Sequence, residues 1–575
     1  MSAKFPEYKG LDLPKVAEEI LNYWQENNIF EKSVTTREGA EPYVFFEGPP
    51  SANGLPGVHH VLARAIKDIF PRYKTMKGYQ VKRKAGWDTH GLPIELGVEK
   101  ELGITKEDIG TDKISVEDYN AACRKAVMRY TDIWNDLTQK MGYWVDMEDP
   151  YITYEPKYME SVWWLLKEIY NKKLIYKGYT IQPYSPKAGT GLSSHELNQP
   201  GTYQDVTDTT VVAQFKAIEN TLPAFLQNEG TIYFIAWTTT PWTLPSNTAL
   251  TVGPKIEYVL VHTFNQYTFE PIKVILAKKL VGKQFGGKNS FQVETSEALS
   301  SYNTGDKKIP FYVIKEFIGK DLVNSKYEQL LDYCLPNDNP QDAFRVIAGD
   351  FVTTEDGTGI VHTAPTFGAD DAIVAKQAVP EIPPMLVKDE NDNLVPLVNL
   401  QGKFRSEVND PIYGFAGEYV KSEYLDEADF EVELKNQQKN LTEVLKNQDK
   451  YLSVDERLGL KLKNENKAFK VEKYKHSYPN CWRTDKPILY YPLDSWFIKV
   501  TDVKDRMHEL NKTINWKPES TGTGRFGNWL ANANDWNLSR SRYWGIPLPI
   551  WRTEDGKEEI CVGSVKELKA EMAKA

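Results

Sequence analysis

Two adjacent histidines, His59 and His60, lie at the start of a helix-type segment, GLPGVHHVLARAIKD. Backbone N–H groups and the positive end of a helix dipole favour an anion at such a position, and an imidazole can donate to phosphate oxygens. The pattern predicts a phosphate-binding site that stabilises charge on a reacting phosphoryl group. A histidine that simply caps the helix is the alternative interpretation.

A second group of residues suits hydrolysis. GTGIVHTAPTFGADD, residues 357–371, joins a strand-type run bearing His362 to a loop that ends in Asp370 and Asp371. A histidine, hydroxyls and a carboxylate near one loop favour binding of an amino group and orientation of a hydrolytic water. The segment Trp237–Thr243 adds four hydroxyls and two tryptophans, although threonine is also common in ordinary strands.

A basic stretch and an isolated carboxylate complete the polar candidates. Residues 61–84 carry eight basic side chains and one acidic side chain, in a chain whose formal net charge is −10. This local reversal favours contact with the phosphates of a nucleotide or nucleic acid, and a solvated helix face is the other interpretation. In GWDTHGLPIE, residues 86–95, Asp88 is suited to bind an ammonium group or to cap the following turn.

These residues need secondary-structure elements that position them. The run Tyr43–Phe46 predicts a short strand, residues 48–57 predict a turn, and from Val58 the apolar residues follow the period of a helix. Strand, turn and helix in this order begin a nucleotide-binding α/β unit. Further helices are predicted over residues 14–30, 116–141 and 156–171.

The predicted secondary structure changes from helices to strands beyond Pro200. Short β-type runs follow one another there, namely TIYFIAW, IEYVLVHTF, IKVILA, IPFYVIKEF, FRVIAGDFVTT and GTGIVHTA. They predict a separate β-rich module of about 200 residues. Helical patterns resume near GFAGEYVKSEYLDEADFEVELKNQ, residues 414–437, before a mixed region with strands such as ILYYPL. The β-rich module is therefore expected to be inserted between two α/β pieces.

Composition excludes several classes of protein. With 575 residues, 41% hydrophobic and 26% charged, the chain is too long for one core and predicts three or four domain-sized units. Four scattered cysteines without a C-x-x-C pair favour a reducing, cytoplasmic setting. No signal-type apolar segment opens the sequence and no window approaches about 18 uninterrupted apolar residues, so neither secretion nor membrane spanning is expected. The stretch Gly522–Gly527 fits G-x-G-x-x-G but follows NWKPES rather than an apolar strand, which argues against a nicotinamide-dependent oxidoreductase.

As a set, five long segments resemble class I aminoacyl-tRNA synthetases of the isoleucine, valine and leucine group. They are EGPPSANGLPGVHH, RKAGWDTHGLPIE, WTTTPWTLPSNTAL, GTGIVHTAPTFGADD and NWLANANDWNLSRSRYWGIPLPIW. The stretch HSYPNCWRTDKPILYYPLDSWFIKV, residues 476–500, favours the isoleucine branch. A valyl or leucyl relative and a stand-alone aminoacyl-tRNA editing hydrolase are the alternatives, and the α/β pieces on both sides argue against the hydrolase.

The resemblance implies an α/β fold, in which an incomplete Rossmann-like parallel-sheet catalytic domain is split by an inserted β-rich editing domain. The expected domains are residues 1–195 and 419–575 for the catalytic parts and 196–418 for the editing insert. The implied activity is ATP-dependent ligation of isoleucine to tRNA(Ile) through an aminoacyl-adenylate, with hydrolytic editing of mischarged valine. ATP with Mg2+, isoleucine and tRNA(Ile) are the expected partners, and the protein is expected to be a monomer.

The same resemblance implies roles for individual residues. Those expected to bind ATP are Gly48, Pro49, Gly57, His59 and His60. Those expected to bind the amino acid are Pro49, Asp88 and Trp544, and His60 and Asp88 are the expected catalytic residues. Those expected to serve editing are Thr238, Thr239, Thr240, Thr243, Asn247, His362 and Asp371, with Asp371 binding the ammonium of the misacylated valine.

Three departures from the family pattern bear on these roles. The family's first signature runs His-x-Gly-His, whereas residues 57–60 read Gly-Val-His-His, and His59 could substitute for the missing partner. The cysteine pairs that bind zinc in some relatives are reduced to Cys481 alone, so zinc is not predicted. No Lys-Met-Ser-Lys-Ser-type loop occurs before Ala575. The sequence therefore resembles an N-terminal fragment, which we expect not to aminoacylate tRNA alone.

Overall fold

The computed structural model describes residue 10, residues 12–440 and residues 451–574. Residues 1–9, on which part of the expectation of no export signal rests, lie outside the described residues. Within the described ranges, no helix is long and apolar enough to span a membrane. The four cysteines all fall in these ranges and are free.

Helices and strands are distributed along the whole described chain. The α-helices are α1 (Leu13–Glu26), α2 (Ile29–Thr35), α3 (Val58–Met76), α4 (Leu92–Leu102), α5 (Val116–Val127), α6 (Thr131–Lys140), α7 (Pro156–Asn171), α8 (Ser194–Leu197), α9 (Val281–Gln284), α10 (Ala369–Gln377), α11 (Glu427–Asn440), α12 (Val454–Asn464), α13 (Lys504–Asn511), α14 (Gly527–Ala531) and α15 (Val565–Met572). The strands are β1 (Lys84–Trp87), β2 (Asp146–Ile152), β3 (Ile175–Ser185), β4 (Thr190–Gly191), β5 (Tyr203–Lys216), β6 (Ile232–Thr238), β7 (Ala249–Val252), β8 (Glu257–Phe264), β9 (Pro271–Ala277), β10 (Ser290–Gln292), β11 (Ile309–Ile318), β12 (Arg345–Ala348), β13 (Ile360–Thr363), β14 (Leu386–Lys388), β15 (Leu394–Pro396), β16 (Ala468–Pro479), β17 (Leu489–Ile498), β18 (Trp536–Asn537), β19 (Ile550–Arg552) and β20 (Glu559–Cys561).

The chain folds into two compact units, which are described separately. The first unit combines Met1–Tyr176, Phe497–Asn537 and Arg542–Ala575, and the second combines Lys177–Trp496 and Leu538–Ser541. Strands β3 and β17 carry the chain across the boundary. Most of the second unit therefore interrupts the sequence of the first.

The unit boundaries differ from the sequence-based boundaries after residues 195 and 418, which stay predictions about the inserted domain. The difference has a physical cause in strand pairing. Strand β16 runs antiparallel to β5, with Ala468 opposite Ala213 at one end and Pro479 opposite Tyr203 at the other. The stretch after residue 418 therefore belongs to the same compact unit as the β-rich part.

Capping residues fix several helices of the first unit. The side chain of Asp12 accepts the Lys15 N–H at the start of α1, and Ser115 accepts the Asp118 N–H at the start of α5. Strands β1 and β2 pair in parallel. Trp87, at the end of β1, belongs to a buried cluster with Ala52 and Trp134. This cluster holds the end of β1 close to the segment that precedes α3.

The predicted strand Tyr43–Phe46 is wrong. Only the residue before it, Pro42, forms a bridge, with Gln80, and the Tyr43 N–H donates to the carbonyl oxygen of Gln80 over 2.9 Å. Val44 is 67% exposed and Phe46 is 89% exposed. A strand needs a continuous hydrogen-bonded neighbour, and the described residues supply that neighbour at one position only.

The helix predicted from Val58 is confirmed as α3, but its environment differs from the amphipathic expectation. Its buried residues are Arg64, Pro71 and Thr75, while most of the apolar residues that gave the periodic pattern, such as Leu62, are exposed. The helix predicted over residues 116–141 divides into α5 and α6, because the Tyr130 N–H donates to the carbonyl oxygen of Ala52. The helix predicted over 156–171 is confirmed as α7.

One large sheet organises the second unit. Its strand order is β10-β11-β8-β9-β6-β13-β7-β12, with β5 pairing both β6 and β16. Parallel and antiparallel pairs are mixed, since β13 runs parallel to β6 and antiparallel to β7. The mixed α/β class predicted from the sequence is confirmed.

Both faces of this sheet are buried at its centre. Phe234, Leu260 and Ile275 belong to the large core cluster, whereas Ile235 and Val259 belong to a second cluster. Adjacent residues of one strand point to opposite faces, so a strand covered on both faces reads as a continuous apolar run. This explains why IYFIAW and YVLVHTF carry little polar alternation.

Two predicted elements of the second unit are shorter in the structure than the sequence pattern indicates. The run FRVIAGDFVTT contributes only β12, which ends at Ala348. In the segment predicted to be helical from residue 414, helix α11 begins at Glu427. Before it, the Phe415 N–H donates to the side chain of Glu418 and the chain turns irregularly.

Candidate active sites in the two units

The first candidate site lies at the start of α3. Gly57 precedes the helix, and its N–H donates to Nδ1 of His60 over 2.9 Å. Because Nδ1 accepts this bond, the proton of neutral His60 is assigned to Nε2. Burial, with His59 and Arg64 nearby, lowers the pKa of His60, whose ring lies edge-on to Trp134. The helix start therefore offers a neutral Nε2–H donor beside the first backbone N–H groups of α3.

Glycine at position 57 makes room for the exposed His59. A Cβ at residue 57 would lie 2.8 Å from Cε1 of His59, which is closer than real Cβ contacts allow. The ring centroids of His59 and His60 are 3.8 Å apart. A side chain at residue 57 would therefore require the exposed His59 imidazole to take another orientation.

Gly48 and Pro49 lie in an irregular segment that is anchored on both sides. The Tyr151 hydroxyl donates to the carbonyl oxygen of the residue before Gly48 over 3.1 Å. The Asp88 N–H donates to the carbonyl oxygen of Pro50 over 3.0 Å. Both predicted ATP-binding residues are therefore held next to the end of β1, where Asp88 begins the next loop.

Trp544 contacts the loop of the first unit that begins at Asp88. Nε1 of the buried Trp544 donates to the carbonyl oxygen of Thr89 over 2.6 Å, and the His90 ring lies 5.3 Å from the indole. Burial lowers the pKa of His90 to about 4, so its imidazole is neutral. The Asp88 side chain is exposed at this edge, and partial desolvation raises its pKa. A carboxylate on a loop that an indole contacts suits an ammonium group with an apolar substituent.

The basic run 61–84 is only partly exposed: Arg64 and Arg83 are buried, whereas Lys77 and Lys82 are exposed, and contact of the run with phosphates stays a prediction. Burial takes its arginines into internal contacts: Arg64 donates to Thr138 over 2.8 Å and Arg83 to Thr75 over 2.7 Å. Two lysines pair with carboxylates, Lys67 with Glu47, Lys84 with Asp149. Much of the local positive charge thus stabilises the first unit.

The second candidate site begins where β6 ends. Oγ1 of Thr238 accepts the Thr240 N–H over 3.1 Å. A 3-10 turn, Pro241–Ser246, follows directly. Within it, the Thr243 hydroxyl donates to the carbonyl oxygen of Thr240 over 2.8 Å. The half-buried Thr239 lies between Thr238 and Thr240. The predicted threonines therefore share one short segment that is held by hydrogen bonds.

His362 is held on both ring nitrogens. The Asn247 amide donates to Nδ1 over 2.9 Å, and Nε2 lies 3.0 Å from Oγ1 of Thr243. The Tyr327 hydroxyl fixes the orientation of the Asn247 amide by donating to its oxygen over 2.7 Å. Burial lowers the pKa of His362 to about 3. The imidazole is therefore neutral, with its proton on Nε2, and donates to Thr243.

Asp371 lies in the first turn of α10, not in the loop before it. Its Oδ2 accepts the Ala364 N–H over 2.9 Å. A Cβ on Gly368 would lie 2.5 Å from the same oxygen, so glycine is needed for this close approach. Burial raises the pKa of the Asp371 carboxyl to about 6, with neighbouring Asp370 adding to the effect.

Some of the predicted residues of the second unit are hydrogen-bonded to one another directly, and Asp371 is connected to them only through the backbone. Direct hydrogen bonds link Thr238, Thr240, Thr243, Asn247 and His362 in one chain of contacts. Parallel pairing of Val361 with Trp237 brings the strand that carries His362 next to the end of β6. Asp371 is connected through the backbone of Ala364, two residues beyond His362.

The family model described as tRNA synthetases class I (I, L, M and V) matches residues 19–575. The chain belongs to this family. An isoleucine–tRNA ligase of Cytophaga hutchinsonii is 64% identical over 567 residues, 99% of this chain and 48% of the relative. One of Bacteroides fragilis is 60% identical, over 100% of this chain and 49% of the relative. This class I synthetase chain therefore spans about half the length of the curated relatives it matches, and the resemblance found in its motifs is confirmed.

Solved structures of related proteins match more loosely. The crystal structure of the ternary complex of Agrobacterium radiobacter K84 agnB2 LeuRS-tRNA-LeuAMS covers 95% of this chain and 51% of that chain. The TM-score is 0.31 at 15% sequence identity. The family assignment of this class I synthetase therefore rests on the sequence comparisons.

Sequence reasoning missed the buried network that holds Trp544 in this class I synthetase. Glu95 accepts the Trp544 N–H over 3.0 Å and pairs with Arg542 over 3.0 Å, while Arg542 also pairs with Glu99. A signal was present: Glu95 and Glu99 share the face of α4 that carries Ile94, and two carboxylates on a buried face need a cation.

We predict that His362 does not titrate between pH 5 and pH 8. Burial lowers its pKa to about 3, whereas an exposed histidine titrates near 6.5. Ring 15N chemical shifts measured across this range should stay constant and show the proton on Nε2. A titration step near pH 6.5 would mean that the ring is hydrated and that the contacts with Asn247 and Thr243 do not persist in solution.

Proposed function

We propose that the protein to which this chain belongs ligates isoleucine to tRNA(Ile) in an ATP-dependent reaction. Relatives that are 58% to 64% identical and match almost the whole chain carry the name isoleucine–tRNA ligase. These relatives are about twice as long as this chain, so the complete reaction is assigned to the whole protein. We further propose that it works as a monomer in the cytoplasm.

In the first unit, the proposed substrates are isoleucine and ATP with Mg2+. Gly48, Pro49, Gly57, His59 and His60 are the proposed ATP-binding residues. The Nε2–H of neutral His60 and the N–H groups at the start of α3 suit the phosphates. Asp88 would bind the ammonium of isoleucine, and Trp544 and Pro49 would contact its side chain.

The proposed activation step needs no protein nucleophile. A carboxylate oxygen of isoleucine attacks the α-phosphorus of ATP, and the bond to the β-phosphate oxygen breaks, giving isoleucyl-adenylate and pyrophosphate. A ribose hydroxyl oxygen of the 3′-terminal adenosine of tRNA then attacks the carbonyl carbon of isoleucyl-adenylate and loses its proton, the bond from that carbon to the phosphate oxygen breaks, and AMP leaves. Positioning and charge stabilisation by His60 and the helix start supply the protein's part.

Editing follows from the small difference between two amino acids. Valine lacks one methylene of isoleucine, which is worth about 1 to 3 kcal/mol in an apolar pocket, and isoleucine–tRNA ligase is itself the standard example of this limit. Discrimination by binding alone is therefore insufficient. We propose that the second unit hydrolyses valyl-tRNA, with Asp371 binding the ammonium of the valyl group.

The observation that supports the editing proposal most strongly is the bonded chain from Thr238 to His362, together with the half-buried Asp371 on the segment that follows His362. Since both nitrogens of His362 are occupied, we assign His362 an orienting role and not that of a general base. Water adds to the ester carbonyl carbon, the bond to the ribose oxygen breaks, and that oxygen takes a proton. Thr239 and Thr240 would shape the pocket and orient the ester or the water.

Hydrolysis of two aminoacyl-tRNAs by the 575-residue chain tests this proposal. We expect faster hydrolysis of valyl-tRNA(Ile) than of isoleucyl-tRNA(Ile), because the larger side chain is excluded from the editing site. Equal rates on both substrates would contradict the specificity, and no hydrolysis of either would contradict the assignment of the second unit. Isoleucine-dependent ATP–pyrophosphate exchange by the whole protein tests the assignment of the first unit.

A further inference from the structure

A buried cluster of charged residues contacts the turn Pro241–Ser246 of the second unit. Asp455, near the start of α12, and Asp208, on β5, flank the ammonium of Lys421 at 3.8 Å and 3.0 Å. His476 lies 3.2 Å from Asp208, and the Lys421 ammonium lies 4.8 Å from the centre of the Tyr478 ring. The side chains of Lys421 and Asp455 are only 4% and 8% exposed. Charges this deep persist only when they are paired.

One oxygen of this cluster reaches the turn that carries Thr243. Oδ1 of Asp455 accepts the N–H of Trp242 over 2.8 Å, and the contact is buried. Trp242 is the second residue of the turn Pro241–Ser246 and directly precedes Thr243. A backbone N–H at the start of a 3-10 turn has no partner within the turn. Asp455 supplies the missing acceptor.

The side chain of Trp242 reaches the other half of the candidate site. Its ring packs edge-on against Phe367, with 5.1 Å between the ring centroids. The N–H of Phe367 donates to the carbonyl oxygen of Ala364, whose own N–H donates to Asp371. Trp242 therefore contacts the segment of Thr243 through its backbone and the segment of Asp371 through its ring.

Helix α12, which presents Asp455, is itself firmly held. Arg457 is buried and donates to the carbonyl oxygen of Tyr413 over 2.6 Å and to the carboxylate of Glu418. Further along the helix, Lys461 pairs with the buried Asp410 over 2.8 Å. A carboxylate on such a support has a fixed position, so its hydrogen bond can fix the position of its partner.

We propose that Asp455, paired with Lys421, is a positioning residue for hydrolysis, which holds the turn 241–246 so that Thr243 and His362 keep their places beside Asp371. The inference rests on the proposed editing function. Asp455 does not touch the substrate in this proposal. It acts through Trp242, and its effect should therefore fall on the rate of the bound substrate.

Kinetics of valyl-tRNA(Ile) hydrolysis test the proposal. Asp455→Ala should lower kcat about tenfold, as expected when a buried donor loses its acceptor, and should change KM less than about twofold. Asp455→Asn keeps an oxygen that can accept the Trp242 N–H, and should retain kcat within about threefold. Should Asp455→Ala fail to fold, Asp455→Leu fills a similar volume without an acceptor and replaces it in the comparison.

Asp410→Ala is the matched control, because it removes a buried carboxylate that pairs with the same helix and whose partners are Lys461, Tyr333 and the N–H groups of Ile412 and Tyr413, outside the turn. It should lower thermal stability but leave kcat unchanged. Amide hydrogen exchange at Trp242 should accelerate in Asp455→Ala and not in Asp410→Ala.

The outcomes separate the two proposals. A wild-type kcat in Asp455→Ala, or an Asn variant no better than the Ala variant, would overturn the positioning role. A wild-type chain without valyl-tRNA hydrolysis would overturn the editing function instead. In that case exchange at Trp242 still decides whether Asp455 holds the turn.

Discussion

Replacing Asp371 with alanine is expected to lower kcat/KM for valyl-tRNA(Ile) hydrolysis by about 100-fold. In the proposed complex, the carboxylate pairs with the ammonium of the valyl group at a desolvated position. Losing one partner of such a pair costs about 2 to 5 kcal/mol, and about 1.4 kcal/mol corresponds to a factor of ten. Initial rates with radiolabelled valyl-tRNA at substrate concentrations well below KM give the ratio directly.

Asp370→Ala is the control for this prediction. Asp370 is the preceding residue in the first turn of α10, but its side chain is exposed. Its removal changes the charge of the helix start equally and should leave hydrolysis within about twofold of the wild type. Equal losses in the two variants would mean that a general charge effect, and not a specific ammonium contact, accounts for the result.

The raised pKa of Asp371 predicts how the stability of the fold depends on pH. Its pKa in the folded chain is raised to about 6 by burial, from an ordinary value of 3.8. The folded state therefore holds this proton more tightly than the unfolded state, so the contribution is fully present below pH 3.8 and is lost as the pH rises through 6. Asparagine does not titrate. The free energy of unfolding of Asp371→Asn, relative to that of the wild type, should therefore rise by about 2 kcal/mol from pH 4 to pH 8. Thermal unfolding of both proteins at the two pH values measures the difference.

Glu95→Ala should destabilise the first unit by about 3 kcal/mol. Glu95 is 1% exposed, pairs with Arg542 and accepts the backbone N–H groups of Tyr543 and Trp544. Its removal leaves a buried guanidinium with Glu99 as its remaining carboxylate partner and takes the acceptor from two N–H groups. Urea unfolding followed by tryptophan fluorescence reports this loss, because Trp544 lies within the network.

Two comparisons sharpen this second prediction. Glu95→Gln keeps an acceptor for the N–H groups but no charge for Arg542, and should fall between the wild type and Glu95→Ala. Glu101→Ala removes an exposed carboxylate that pairs with Arg129, and should leave the midpoint unchanged. A midpoint for Glu95→Ala equal to that of Glu101→Ala would contradict a structural role for the buried network.

The apolar pattern of a single segment predicted those helices and strands whose formation depends mainly on the residues of that segment. Helices α3 and α7 follow from the helical spacing of their apolar residues, and the central strands of the second unit and the strand that carries His362 follow from short apolar runs. The strand at residues 43–46 was not formed, since strand formation depends on a partner elsewhere in the chain. Composition of a segment cannot report whether that partner is present.

The candidate sites show the same division. The sequence motifs and the family resemblance led to the proposals for His60, Thr243 and Asp371, whose roles depend on residue type within a recognisable segment. They did not identify Glu95 or Asp455, because each acts through a contact far away in sequence: Glu95 meets Arg542 at a separation of 447 residues. Such partners become visible only when tertiary packing brings them together.

That separation has a consequence for synthesis of the chain on the ribosome. At a translation rate of roughly 5 to 20 residues per second, Arg542 emerges roughly 20 to 90 seconds after Glu95. During this interval the carboxylates of Glu95 and Glu99 lack Arg542 as their partner, so water must solvate them and Trp544 cannot yet take its place. Lys177–Trp496 is complete before then and can fold first. The nascent protein should therefore acquire the unit proposed to hydrolyse valyl-tRNA before it completes the site proposed to bind isoleucine.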